Sequence, residues 1–378
     1  PSSGTPVVIC MDGTSLAPDG TRTFRASPKD LLVMRDFVLE VSRTFPTARV
    51  TLVGFRAGGR FAMLFAGAFA RILDGVISVS SGIDPSTPIG GAIQGLPLVI
   101  VHGTRDETTP YAVSLDAVHA LVENQHPGAM LRRLPGVDAL PAPARVSECV
   151  DWVAAMTTTE PPLALAAARA LLLPHQGAGE ASAPPAFHMA RAILRRFESP
   201  PGQAPDAGSR VRGFKDPTDD ARREAWGLSV AIEAQAQAHV DALKSAGLRK
   251  PADLDAPSAP PMLGHLHAFR EDFRGVDSAE AYVGLLQYDE RWSEHSQAAV
   301  EIWNLTLDER PAADLLQSLV DQLPKAWLYE ALPPSLYGLS LSWREAGDPG
   351  KPSADLKARA TALLDPYFRS IEAGEAAY

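Results

Sequence analysis

Cysteine is almost missing from this chain. Two thiols among 378 residues cannot make a disulfide framework. Cys10, in an apolar β-rich run, and Cys149, in a helical pattern, read as two separate buried thiols rather than one bridge. Such usage favours a reducing compartment, the cytoplasm ahead of others. No Cys/His cluster has zinc spacing. The nearest approach, His265 and His267 in GHLHAF ahead of Glu271 and Asp272, reads as polar residues on a helix surface, and neither a metal nor a cofactor is expected. Long apolar runs are scarce too: ALAAARALLL at 164–173 is too short for a bilayer and is interrupted by Arg169, which leaves a packed helix and no transmembrane segment. No signal-peptide pattern opens the chain. Nor is there a basic excess. Residues 1–155 carry 13 Lys+Arg and 14 Asp+Glu, so of the chain's 35 and 45 the rest holds 22 and 31, net −9 of −10. A nucleic-acid partner wants a basic face, so that class drops out. The acidic balance itself reads as a solvated surface.

What is present is apolar material in a regular order. A content of 46% hydrophobic residues over this length can bury more than one core and points to two or three domains. Strand-like runs fall at 6–11, 50–53, 75–80, 97–103 and 129–134. Helical patterns alternate with them at 28–44, 57–73, 111–124 and 142–156. That β-α-β-α order predicts a doubly wound, mostly parallel sheet with right-handed crossovers.

One junction carries most of the information. The segment VTLVGFRAGG at 50–59 is an apolar strand, a turn rich in small residues, and the start of a helix with Phe61, Leu64, Phe65, Phe69 and Ile72 at three- and four-residue spacings. Gly54, Gly58 and Gly59 let strand and helix approach closely, so that the residue at the turn projects from the sheet edge. That residue is Arg56.

With this junction and the strand order around it, residues 6–156 resemble the α/β-hydrolase family, most closely its esterase and depolymerase-like members with a G-x-S-x-G-G elbow. VICMDGT is similar to the family's third core strand and oxyanion segment, with Asp12 and Gly13 where His-Gly is usual, and the family's first strands have no counterpart ahead of it. Either those strands are absent or an N-terminal portion, a targeting segment included, has been removed. VIVHGTRDETTPY resembles the segment that delivers the acidic triad member, which the resemblance places at Asp106. LPGVDALPAPARVSECVDWV resembles the last strand, the histidine loop and the closing helix, yet the loop holds no histidine and Asp138 stands near its place.

Acyl transfer on such a fold needs a hydroxyl nucleophile, an imidazole base and an orienting carboxylate in one hydrogen-bonded line. Arg56 offers donors only and stays protonated, so it neither attacks a carbonyl nor relays a proton. His119 and His126 fall in the preceding helix and its exit, badly placed to substitute for the missing base. The site therefore reads as vestigial: Arg56, Asp106, Asp138, Asp12 and Gly13, with no catalytic residue. The replacements put one cation opposite acids, and an ion pair between Arg56 and Asp106, closer than about 6 Å, is expected to plug the pocket. Two other readings stay open: Arg56 reaching solvent from an open pocket, or Arg56 receiving an anionic ligand at the helix N-terminus.

Beyond Trp152 the composition changes. Proline- and glycine-rich stretches at 157–162, 174–185 and 199–210 separate alanine-rich helical patterns. Further helices are expected at 219–245, 261–274, 278–289, 293–303, 311–323, 325–330 and 353–373. The division is thus an α/β-hydrolase-like domain at 1–157 followed by an all-α domain at 158–378, with no fixed-period repeat. Five of the six tryptophans lie in the second part: Trp226, Trp292, Trp303, Trp327 and Trp343. They are expected in its core, although the segment 325–343 also has the make-up of an apolar docking surface.

Two function classes remain. The first is a pseudoenzyme that serves as a binding, scaffold or assembly subunit with protein partners on its helical region. The second is an esterase or acyl hydrolase with a non-standard nucleophile, Ser15, Ser80 or Ser81, and a base such as His188 or His265 reaching in from the helical part.

Overall fold

The computed structural model describes residues 15–16, 22–23, 27–46, 49–82, 95–104, 111–123, 129–135, 140–173, 185–198, 214–255 and 260–288, with the single positions Ile93, Asp106, Thr109, His126 and Val137. The strand expected at 6–11, the four helices expected beyond residue 290, and Cys10, Asp12, Gly13, Asp138, Trp292, Trp303, Trp327 and Trp343 lie outside them.

A two-residue strand β1 (Ser15–Leu16) pairs antiparallel with β2 (Arg22–Thr23). The first helix, α1 (Pro28–Thr44), starts where its sequence dictates, because Ser27 and Asp30 form a reciprocal capping box and Pro28 opens the first turn. Four parallel strands follow, β3 (Thr51–Phe55), β4 (Gly75–Val79), β5 (Leu98–Gly103) and β6 (Ala129–Leu134), hydrogen-bonded in chain order. Between and after them run α2 (Ala57–Phe69), α3 (Tyr111–Glu123) and α4 (Pro143–Thr157). The expected elbow helix at 57–73 is shorter than its apolar spacing implied, tightening into a 3₁₀ turn at Ala70–Ile72.

Alternation along each strand feeds two cores. Val76, Leu98, Ile100, Ala129 and Leu131 pack with α1, α2 and α3 on one face. Ile77, Val79, Val99, Val101, Met130 and Leu134 face α4 on the other. The doubly wound α/β sheet expected from the sequence is therefore what the strands form.

Helices alone make up the described residues after 157: α5 (Pro161–Leu171), α6 (Phe187–Leu194), α7 (Asp219–Ser245), α8 (Pro260–Asp272) and α9 (Asp277–Leu285), with 3₁₀ turns at Arg195–Phe197 and Pro251–Asp255. Their apolar core is continuous with the second sheet face, running from Trp152 through Met189, Ile193 and Ile232 to Phe269 and Tyr282. Trp152 is fully enclosed and its indole N–H donates to the carbonyl of Met189 at 3.0 Å, which ties α4 to α6. Sequence periodicity gave α6 no separate place: the helix is eight residues long, too short a run to stand out against its neighbours, and His188, Met189, Ala190, Arg191, Ile193 and Leu194 are all enclosed.

Two expectations are corrected here. Trp226 is not core but 71% exposed on α7. His267, Glu271 and Asp272 are not on a helix surface but buried on α8, where Asp272 accepts from Arg133 of β6 at 3.1 Å.

Candidate functional site

The C-terminal ends of β3, β4 and β5 meet at the place where an open parallel sheet offers a site. The turn after β3 is as tight as its glycines implied. A Cβ on Gly54 would lie 2.1 Å from the carbonyl oxygen of Gly58, and one on Gly59 would lie 2.6 Å from Oγ of Ser78. No side chain fits at Gly54 without moving backbone. This contact forces Arg56 into a conformation rarely used by a residue with a Cβ, φ 49° and ψ −116°. Its N–H is anchored to the carbonyl of Val79 at 2.8 Å. Thus the strand, the turn and α2 push Arg56 out of the sheet edge, as read from sequence.

The guanidinium points to the end of β5. Its Nη2 lies 3.9 Å from Oδ1 of Asp106, within the expected 6 Å, with the Arg56 side chain 38% exposed and that of Asp106 fully buried. The cation also sits over the Phe55 ring, 5.2 Å from its centroid. The expected plug, a guanidinium with all five donors satisfied, is not what forms: the pair is longer than a hydrogen bond, and among the described residues Nε of Arg56 has no hydrogen-bond partner. Pairing on one side and solvent on the other combine two of the readings that the sequence left open. Asp106 is fixed independently, since its Oδ1 accepts the N–H of Thr109 at 2.9 Å.

Sequence reasoning missed the imidazole beside this carboxylate. His102, within β5, is fully buried with Nε2 3.5 Å from Oδ2 of Asp106 and 2.8 Å from the carbonyl of Thr109. Its Nδ1 lies 2.5 Å from Oγ of Ser114 on α3, and that hydroxyl donates to the carbonyl of Ser81 at 2.6 Å. A buried line of Ser114, His102 and Asp106 therefore ends at Arg56. The signal was there: His102 and Asp106 stand four residues apart across the end of a strand. A search confined to the loop after the last strand passes over it. An acid and an imidazole are thus both present, though the imidazole is enclosed among α3 and the sheet. Tyr111 packs edge-on against its ring at 5.9 Å and in turn against His267.

The other sequence candidates are dispersed. Ser15 lies in β1 opposite Thr23. Ser80 and Ser81 are buried at the exit of β4, Ser80 with φ 48° and its N–H on the carbonyl of Val101. His126 is buried where the chain enters β6. His188 is enclosed in α6, and burial first, then the nearby Arg132, lower its pKa to about 3, so it is neutral near pH 7. His265 lies on α8. Burial, helped by Glu148, pushes the Cys149 thiol far above its ordinary range, leaving it unreactive. Among the described residues no three His, Cys, Asp or Glu side chains are grouped so as to hold a metal, and no helix is long and apolar enough to cross a membrane.

No family model and no curated protein matches the chain. Among solved structures it is similar to SOBER1 from Arabidopsis thaliana, with 14% identity, 36% of this chain and 67% of that one covered, and a TM-score of 0.29. It is similar to TT1662 from Thermus thermophilus with 22% identity, 34% and 68% coverage, and a TM-score of 0.26. A thermostable esterase shares 18% identity over 33% of this chain and 36% of its own length, with a TM-score of 0.26. Each likeness spans about a third of this chain, and no activity follows from any of them.

Proposed function

We propose that this chain is a pseudoenzyme, a binding or assembly protein whose α/β-hydrolase-like site has exchanged chemistry for a fixed cation. The observation that carries this reading is Arg56 at the strained turn between β3 and α2, directed at Asp106. A guanidinium there has no lone pair to attack with and no proton to relay near neutral pH. Its exposed edge, next to the N-terminus of α2, suits a carboxylate or phosphate on a ligand or partner. The test is the native mass of the untagged protein, purified gently from the cells that make it, together with ester hydrolysis on the same sample. Co-purifying subunits without turnover are expected. Turnover that survives Arg56→Ala and disappears on Ser15→Ala or Ser80→Ala overturns the reading.

One observation favours a second reading, a hydrolase with another nucleophile. Ser114, His102 and Asp106 form a hydroxyl–imidazole–carboxylate line. Against it, the Ser114 hydroxyl gives its proton to the carbonyl of Ser81 and not to the imidazole, the carboxylate stands 3.5 Å from Nε2, longer than a hydrogen bond, and Ser114 and His102 are fully enclosed, where a nucleophile cannot meet its substrate. Turnover lost in both Ser114→Ala and His102→Ala, with folding retained, is the result that establishes this alternative.

A further inference from the structure

The first turn of α2 is charged against its own helix. Backbone N–H groups make that end positive, and an acid or a capping side chain is what suits it. Here Arg56 is the N-cap residue, its side chain caps nothing, and the first turn holds no acid. The first bond inside the helix runs from the N–H of Arg60 to the carbonyl of Arg56 at 3.0 Å, so the N–H groups of Ala57, Gly58 and Gly59 have no partner within it. Arg60 then adds a second cation. Its side chain is exposed, takes part in no hydrogen bond or ion pair among the described residues, and, like any helical side chain, leans back over the turn that precedes it. A Cβ on Gly58 meets nothing within 4 Å, which leaves open space beside these groups.

A separate observation lies inside the fold. Ser78 of β4 is fully buried, its Oγ faces the same turn, 2.6 Å from the place a Cβ on Gly59 would take, and it has no hydrogen-bond partner. Nε of Arg56 is enclosed and unpartnered too. Polar groups left unmet in this way are costly and uncommon. Among the described residues, then, this turn is supplied with more donors than acceptors, and Asp106 offsets one of its two guanidinium groups, at 3.9 Å.

We infer that Arg56, Arg60 and the first turn of α2 form a receptor for a small phosphate monoester, whose phosphoryl oxygens take both guanidinium groups and the open N–H groups. Charge decides for phosphate over carboxylate. Two arginines and a helix end of about half a charge, less the charge of Asp106, leave about +1.5. A monoester of about −1.5 to −2 at pH 7 balances that, and a singly charged carboxylate does not. Planar guanidinium groups also present paired donors to phosphate oxygens. The ester group falls beside Phe55 and Val53, 41% and 46% exposed on one face of β3, where the Phe55 ring already lies under the Arg56 cation, so an apolar ester is the class that fits. This inference rests on the reading of Arg56 as a fixed cation in a site without chemistry.

Titration calorimetry of the full chain with phenyl phosphate, inorganic phosphate and benzoate, at low salt and about pH 7.5 so that the phosphates are dianions, tests it. Saturable binding of phenyl phosphate is expected, about threefold or more tighter than inorganic phosphate and about tenfold or more tighter than benzoate. Arg60→Gln should weaken it about fivefold or more. Arg60→Glu should abolish it while the free chain unfolds at the same or higher denaturant, because an acid then faces the helix end; a merely structural Arg60 would lose stability instead. No saturation by about 10 mM phenyl phosphate, benzoate or inorganic phosphate bound as tightly, or binding indifferent to Arg60→Glu overturns the inference. Phenol release on the same sample keeps the two readings apart. Turnover overturns the site without chemistry and this inference with it, whereas neither turnover nor binding overturns the phosphate receptor alone.

Discussion

At the end of β3 and β5, Asp106 is fully buried while its cation, Arg56, is more than a third exposed and stands 3.9 Å away. At β6 both members of each pair are enclosed, Arg132 lying 2.9 Å from Glu148 and Arg133 3.1 Å from Asp272. The two places share their residue types and differ in what water can do for them. Solvent screens the first pair, so its loss costs little and its guanidinium stays available to something outside. Solvent cannot reach the second, so each charge there depends on its partner. The helical part adds to this dependence: Asp272 of α8 neutralises an arginine that projects from the sheet, and Glu271 beside it takes Arg270 and Arg274.

Breaking the enclosed side should have the largest effect. Asp272→Ala deprives Arg133, 1% exposed, of its carboxylate and is expected to destabilise the chain by about 3–5 kcal/mol, read from denaturant unfolding. A loss under about 1 kcal/mol would mean that water reaches β6 and that the two sides are alike. Next comes the turn itself. Gly54→Ala drives a Cβ into the Gly58 carbonyl, 2.1 Å away, and an overpacking cost of about 1–3 kcal/mol is expected, with α2 displaced and Arg56 drawn off Asp106. Gly58→Ala, whose Cβ meets nothing within 4 Å, is the matched control and should be close to neutral.

Acid sharpens the contrast in a different way. His188 lies in the enclosed region, and burial first and then Arg132 depress its pKa from 6.5 to about 3. The unfolded chain therefore takes up this proton before the folded one does. The stabilisation it contributes is complete above pH 6.5 and is lost as pH falls from 6.5 toward 3, by about 1.4 kcal/mol per pH unit once well below 6.5. His239, also lowered by burial, adds a slope of the same sign. The quantity to measure is thus the difference between wild type and His188→Leu, from pH 7 to pH 5, before the carboxylates begin to titrate. Parallel curves would show that His188 is hydrated.

Much of this was legible in the sequence where one residue type implies one geometry. The small residues around Arg56 specified a tight strand-to-helix turn, and the structure places Arg56 there with its guanidinium toward Asp106. The helices expected at 28–44 and 219–245 are α1 and α7, the second from a run rich in helix formers, while their caps, Ser27 with Asp30 and Thr218, are what the structure adds. What was not legible depends on long-range enclosure. His102 looked like a strand residue because its partners Ser114 and Thr109 come from elsewhere in the fold. His267, Glu271 and Asp272 looked like a solvated helix face because nothing local announces that β6 presents arginines to them. Trp226 looked like core because large aromatics usually are, and its place on α7 outside the buried stripe decides otherwise.

The smallest effect is expected at Arg56, and it separates charge from backbone. Arg56→Ala removes a long ion pair whose cation is screened by solvent and the contact with Phe55, together about 1 kcal/mol or less, while Asp106 keeps its bond from the N–H of Thr109 and alanine keeps a Cβ at φ 49° and relieves no strain. Arg56→Gly removes the same contacts and the strain with them, which is about 1–3 kcal/mol for such a conformation, offset by the greater freedom of glycine in the unfolded chain. The glycine variant should therefore unfold at the same or higher denaturant than the alanine variant, by up to about 2 kcal/mol. If alanine were instead the more stable of the two, the turn would not be forcing residue 56 out of its preferred conformation, and the cation would stand at the sheet edge for its pairing with Asp106 alone.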